Sequence, residues 1–202
     1  MSSVLLMSGG LDSTALLYWL RPELAITVDY GQLAALGEIR ASKRICAKLG
    51  VRHKVVSANC RAIGAGIMSG NPASEFAVKA EWWPFRNQLL VTLACMLCID
   101  LGVDRVLIGS VRTDAEYMDG RKEFVEKLDA LVSSQDGGIR VEAPAIGMTT
   151  EELIKSSGVP PPILALSHSC LRSEYGCGEC RGCMKFNRIL TQMSISDGVV
   201  ER

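Results

Sequence analysis

Two short stretches of this 202-residue chain carry residue types at spacings that can do chemistry. The first is Ser8-Gly9-Gly10-Leu11-Asp12-Ser13-Thr14. It follows an apolar run, residues 4–7, and leads into apolar residues at helical spacing (Ala15, Leu16, Leu17, Trp19, Leu20). Two adjacent glycines let a backbone turn with its N–H groups converging on one hollow. The start of the following helix adds unpaired N–H groups and the positive end of its dipole. Ser8, Ser13 and Thr14 add hydroxyl donors. The combination suits an oxyanion such as pyrophosphate. It is neither a Walker A loop, since no lysine follows at the required spacing, nor a G-x-G-x-x-G fingerprint. A plain tight turn is the structural alternative, and Asp12 as a helix N-cap is compatible with both readings.

The second stretch is Cys170-x6-Cys177-x2-Cys180-x2-Cys183. Four thiolates this close together match a tetrahedral Zn²⁺ site, and four sulfurs leave no open coordination position, so the site is structural. Gly176, Gly178 and Gly182 let the chain fold tightly around an ion. An iron–sulfur cluster is the main competitor, because it also takes four cysteines. Cys46, Cys95 and Cys98 lie at core positions of helical patterns, and Cys60 stays open between roles. Arg172, Arg181, Lys185 and Arg188 make the surroundings of the cluster locally basic.

The elements that position these groups read as strands at residues 4–7, 24–28, 53–56 and 105–108, with a further strand ending at Glu142. Helices read at 13–20, 38–49, 85–101, 121–132 and 149–157. Residues 57–80 are rich in Gly, Ala and Ser and read as a loop that lines or covers the site. The 85–101 helix is apolar nearly all round and is expected to be buried. Pro160-Pro161-Pro162 reads as a stiff spacer. The order argues for an α/β fold with a mainly parallel five-stranded sheet flanked by helices. Residues 1–165 are expected to form that domain. Residues 166–202 are expected to form a metal-binding segment and a C-terminal helix packed on it.

Zero formal net charge gives no global basic field for a nucleic acid. The most apolar stretch, residues 88–101, is interrupted by Asp100 and is too short to span a bilayer. No signal-peptide pattern opens the chain, so a cytoplasmic location is expected.

Ser-Gly-Gly-Leu-Asp-Ser after the first strand resembles the signature of the PP-loop ATP pyrophosphatases, whose fold is adenine nucleotide alpha hydrolase-like. Together with the cysteine cluster it is similar to the 7-cyano-7-deazaguanine synthase (QueC) family. Further strings agree: Asp29-Tyr30-Gly31-Gln32; Pro84-Phe85-Arg86-Asn87; Gly109 with Asp114, Asp119, Arg121 and Phe124; and Glu142-Ala143-Pro144. The likeness runs from Val4 to about Asn187. It implies a ligase-type enzyme that uses ATP, Mg²⁺ and Zn²⁺. Such an enzyme adenylates 7-carboxy-7-deazaguanine, aminates it with ammonia and dehydrates the amide with a second ATP.

By the resemblance, residues 8–14, Asp29, Tyr30, Gln32, Asn87 and Gly109 belong to the nucleotide site, with Asp12 also at Mg²⁺. Ser8, Asp12, Ser13, Arg86, Asp114 and Arg121 are the expected catalytic residues. Arg86 and Arg121 would hold phosphate or the substrate carboxylate. Asp114 and Asp119 would accept from the N–H edge of the deazaguanine or hold Mg²⁺. Surface ion pairing is the alternative for all four. Trp82 and Trp83 fit base stacking or core equally. A homodimer, using an exposed apolar face of the long helix, is also implied.

The chain departs from the family pattern in three places. Leu33 to Gly37 carry no charge before Glu38, Thr150 stands where a lysine is expected, and Ser167-His168-Ser169-Cys170 replaces T-W-S-C. A second enzyme of the same lineage therefore stands beside the synthase. This is a QueC-like enzyme of anti-phage operons, which would give the activated deazaguanine to a protein amine. A tRNA-thiolating PP-loop enzyme and a zinc-ribbon binding module are the other classes, disfavoured by the closed cluster and the neutral charge.

Overall fold

The apolar runs form five parallel strands in the computed structural model, which describes residues 2–196. They are β1 (Ser3–Leu6), β2 (Leu24–Asp29), β3 (Arg52–Ser57), β4 (Arg105–Leu107) and β5 (Arg140–Glu142). Their order is β3-β2-β1-β4-β5. Successive strand residues face opposite sides, so the sheet feeds two cores. Leu5, Met7, Ala25 and Leu107 enter one, while Val4, Ile26, Val106 and Val141 enter the other.

The first core is closed by α1 (Leu11–Leu20), α2 (Ala35–Leu49), α5 (Thr150–Ser157), α6 (Pro161–Leu164) and α7 (Arg181–Ser196). The second is closed by α3 (Arg86–Ile99) and α4 (Lys122–Ser133). The chain reverses direction across the sheet between β1 and β4. In open parallel sheets the crevice for ligands lies at the strand C-termini beside such a switch.

Local chemistry sets several boundaries. Gly50 ends α2 in the left-handed region, φ 69, where an L side chain is strained. Thr149 and Glu152 form a reciprocal capping box on α5, bonding at 3.2 and 2.7 Å. Residues 57–85 are mostly irregular, with one short 3-10 turn, Arg61–Ile63. Cys46 and Cys98 are buried, as their helical positions implied.

Two expectations need correction. The helix at 85–101 was expected to be buried on all sides, but α3 buries only Val91, Ala94 and Cys98 and leaves Met96 and Ile99 65% and 52% exposed. It is an outer-layer helix that packs by one face. The central helix is α1, where Leu11 and every residue from Ser13 to Leu17 are buried between the sheet and its helical neighbours. The triple proline is also not a spacer: Pro161 and Pro162 open α6, where a missing N–H costs nothing.

The segment from residue 166 carries the cysteine cluster and α7. Ile189 of α7 is 2% exposed in the same core as α1 and α5. Residues 197–202, included in the expected C-terminal segment, lie outside the described residues.

Candidate active site and metal centre

The phosphate loop leaves β1 and enters α1 without a side-chain cap. Gly10 is extended at ψ 173 at the N-cap, and no side chain bonds the first N–H groups of the helix. Those donors face the crevice, which is the requirement for an anion. Gly9 is fixed by its environment: φ is +75, and a Cβ there would lie 2.8 Å from the Glu38 carbonyl oxygen. The loop thus sits directly on α2. Ser13 Oγ donates to Gly10 O at 3.1 Å and lies 3.1 Å from Ser8 Oγ. A hydroxyl has one proton, so Ser8 donates in that pair.

The loop is one wall of a cleft of about 350 Å³, a size that takes a small-molecule ligand. Each carboxylate oxygen of Asp12 has one side-chain partner. Thr150 Oγ1 donates to its Oδ1 at 2.6 Å, and Lys185 Nζ lies 2.8 Å from its Oδ2.

The rest of the lining brings Tyr30, Glu38, Arg86, Asn87, Asp114 and Asp119 together. Phe85 adopts φ 57 immediately before Arg86, an uncommon conformation for a bulky residue, and this turn starts α3 at the cleft. Asn87 bonds Asp119 twice, from its backbone N–H at 3.3 Å and from Nδ2 at 2.9 Å.

Burial disfavours the Arg86 charge, yet Tyr30, Asp119, Asp114 and Glu38 together hold its pKa above the ordinary value. Burial pushes the Glu38 carboxyl up to about 7. Asp29 adds to the rise, while the Gln32 hydrogen bond and Arg86 oppose it. Asp114 is raised by burial and by Asp12, against the Val111 N–H, Lys185 and Arg86.

The four cluster sulfurs lie within 4.8 Å of one another, and Cys177 and Cys183 Sγ are 3.9 Å apart. A tetrahedral ion with metal–sulfur bonds of ~2.3 Å spaces its ligands roughly 3.8 Å apart, so the donor set fits a single ion. The Cys180 and Cys183 backbone N–H groups each donate to the preceding cysteine sulfur at 3.4 Å, and the bond from Cys180 N–H favours the Cys177 thiolate. All eight cysteines are unbridged.

The cluster is strapped to the cleft at several points. His168 N–H donates to Gly9 O at 2.8 Å, and Ser167 Oγ donates to Thr14 Oγ1 at 3.0 Å. Arg181 reaches Glu81 and Glu116 at 3.2 and 2.9 Å. Each base near the cluster has an acidic partner. Arg172 pairs with Glu179, Arg188 with Glu151 at 2.6 Å, and Lys185 with Asp12, so the local basic patch is neutralised internally.

Of the residues singled out from sequence, Ser8, Gly10, Leu11, Asp12, Ser13, Tyr30, Arg86, Asn87, Gly109, Asp114 and Asp119 line the cleft. The others stand behind or beside it. Gly9 packs on α2, and Thr14 is buried. Asp29 accepts the Gly31 N–H at 3.0 Å, and buried Gln32 bonds Tyr30, Val28 and Glu38. Arg121 precedes α4 and donates to Ala115 O at 3.1 Å on the exposed side. Trp83 is core, edge-on to Tyr30 with ring centroids 4.9 Å apart.

Sequence reading gave no cleft role to Glu81, Tyr117, Arg181 or Lys185. Tyr117 OH donates to Glu81 at 2.8 Å and accepts from Arg181 at 3.2 Å. The one signal for Lys185 and Arg181 was their place beside the cysteines.

A parallel sheet with an uncapped Ser-Gly-Gly-Leu-Asp-Ser loop at its switch point, backed by a four-thiolate centre, defines a PP-loop protein of the α/β class. The family model for "Queuosine biosynthesis protein QueC" matches residues 2–194, and the chain belongs to that family.

Similar curated proteins include the 7-cyano-7-deazaguanine synthase of Methanosarcina mazei, 27% identical over 230 residues, covering 100% of this chain and 99% of the relative. The 7-cyano-7-deazaguanine synthase 1 of Sulfurisphaera tokodaii is 32% identical, covering 98% and 96%. Among solved structures, the U34-tRNA thiolase NcsA of Methanococcus maripaludis with its [4Fe-4S] cluster shares the fold at TM-score 0.53 and 15% identity. That likeness covers 97% of this chain and 66% of the longer thiolase. Among the described residues no helix is long and apolar enough to cross a membrane.

Proposed function

We propose that this chain makes 7-cyano-7-deazaguanine from 7-carboxy-7-deazaguanine, ATP and ammonia. The observation that carries the reading is one cleft lined both by an uncapped phosphate loop and by Arg86, Asn87, Asp114 and Asp119.

The substrate carboxylate attacks the α-phosphorus of ATP, pyrophosphate leaves, and an acyl-adenylate forms. Ammonia displaces AMP to give the amide. The amide oxygen is adenylated by a second ATP, and loss of AMP and a proton leaves the nitrile. The N–H groups at the start of α1, with Ser8 and Ser13, stabilise charge on the departing pyrophosphate. Arg86 holds a carboxylate or phosphate, and Asp114 and Asp119 face the N–H edge of the base. Asp12 and Asp114 are the carboxylates suited to Mg²⁺, which supplies further charge neutralisation when bound.

Sulfurs this close favour Zn²⁺ over a [4Fe-4S] cube, whose intervening irons drive the thiolates farther apart. Exposed Met96 and Ile99 on α3 are compatible with the homodimer the resemblance implies, which light scattering reads directly.

The test is incubation with Mg²⁺-ATP, 7-carboxy-7-deazaguanine and ammonium, with products read by mass spectrometry. AMP, pyrophosphate and the nitrile are expected. AMP with only adenylate or amide would replace the ammonia reading with a different acceptor, a protein amine first. No AMP from a folded, metal-loaded protein would overturn the proposal.

A further inference from the structure

Among the described residues three lysine or arginine side chains line the cleft: Arg86, Arg181 and Lys185. Two of them find their partners away from the phosphate loop. Arg181 is occupied by Glu81, Glu116 and the Tyr117 hydroxyl. Arg86 lies with Tyr30 and with Met68, whose sulfur is 3.3 Å from its Nη1. Lys185 is the one that reaches the phosphate loop, with Nζ 2.8 Å from Asp12 Oδ2 and its side chain 30% exposed.

Charge at the loop gives this contact its meaning. Asp12 sits in the first turn of α1, among the N–H groups that no side chain caps, and Asp114 lies within its electrostatic reach. Two carboxylates beside a phosphate hollow repel a polyphosphate. An ammonium held on Asp12, within electrostatic reach of Asp114, offsets that field locally. Lysine suits the role because its charge is compact, its stem is flexible and it has three donors. Asp12 uses one donor and two remain. Thr150 holds the other Asp12 oxygen at 2.6 Å and so fixes the carboxylate that aims the lysine.

We propose that Lys185 is a polyphosphate-binding residue of the ATP site, aimed by Asp12 and Thr150. Lys185 stands two positions after Cys183 on α7. The four-thiolate centre therefore sets the place of a nucleotide ligand as well as stapling the chain. The inference rests on the ATP-site reading of the cleft and needs no statement about the deazaguanine.

The test is calorimetric titration of the metal-loaded protein with inorganic pyrophosphate and, separately, with adenosine. Lys185→Met is expected to weaken pyrophosphate binding at least tenfold and to leave adenosine binding unchanged, with Lys185→Arg restoring most of the loss. Arg188→Met, on the same helix but paired with Glu151 outside the cleft, is the control expected to match wild type.

A second measurement needs no variant: pyrophosphate should slow acetylation of Lys185 in the wild-type protein several-fold, whereas adenosine should not. Equal pyrophosphate affinity in Lys185→Met, or no protection of Lys185 by pyrophosphate, would overturn the proposal while leaving the ATP site standing. A wild-type protein that binds no pyrophosphate would overturn both.

Discussion

Glu38 is a cleft carboxylate whose titration burial alters strongly. Its carboxyl accepts the Gln32 amide at 2.7 Å, yet burial carries its pKa from 4.5 to about 7. The native state therefore holds the Glu38 proton more tightly than the unfolded chain does. Its contribution to stability is complete in acid, is lost as pH rises from about 4.5 through 7, and stays lost above that. A shift of this size corresponds to roughly 3 kcal/mol. Glu38→Gln removes the ionisation and keeps an acceptor for Gln32. The variant is expected to match wild type in urea melts at pH 4.5 and to exceed it by about 1–3 kcal/mol at pH 8. The same difference at both pH values would mean that Glu38 ionises as an ordinary carboxylate. The residue also shows a limit of spacing as evidence. The uncharged run Leu33 to Gly37 before it departs from the family pattern, yet α2 starts at Ala35 and still brings Glu38 to the cleft wall.

Elements were legible where one local rule decided them. Four strands announced themselves as short runs and the fifth only through the Glu142-Ala143-Pro144 string, α2 and α4 by one-sided apolar patterns, and α5 by the two glutamates of its first turn. The layer a helix occupies was not legible, because α1 and α3 are both apolar nearly all round and only the chain crossing between β1 and β4 distinguishes them. The site divides in the same way. The loop and the cysteines are contiguous strings, whereas Lys185 meets Asp12 across 173 positions and Arg181 meets Glu81 across 100, so no local pattern marks them. Gly182 shows how tightly the last helix is seated. A Cβ there would run into the Ser169 carbonyl oxygen, which belongs to backbone and cannot swing aside. Gly182→Ala is expected to cost about 1–3 kcal/mol and to speed metal release to a chromogenic chelator. Gly178 has φ +80 but open space around its Cβ. Gly178→Ala should therefore cost only backbone strain, about 1 kcal/mol, and retain the metal. Equal effects of the two substitutions would sink the close-packing account.

At the scale of the whole molecule, the metal centre joins parts of the chain that are far apart in sequence. Cys170 follows His168, whose N–H holds the phosphate loop at Gly9. Cys180 and Cys183 flank Arg181 and Gly182, and Arg181 clasps Glu81 of the irregular 57–85 segment and Glu116 beyond β4. The helix they open carries Lys185 to Asp12 and Ile189 into the α1 core. A thiolate site forms only when its ligands are brought together, so metal affinity and folding share one free energy. Cys177→Ser removes one ligand from a site with no spare donor among the described residues. Its expected cost exceeds about 4 kcal/mol, the range of lost metal sites rather than of surface changes. The consequence should also spread. Hydrogen exchange in Cys177→Ser is expected to accelerate in residues 168–193 and, through the Gly9 and Asp12 contacts, in residues 8–14. Strands β2 and β3, held by their pairing with each other and with β1, should keep their protection. Faster exchange confined to residues 170–183 would show that the centre is a local staple and that the cleft stands without it. Full metal content and unchanged stability in the variant would remove Cys177 from the ligand set.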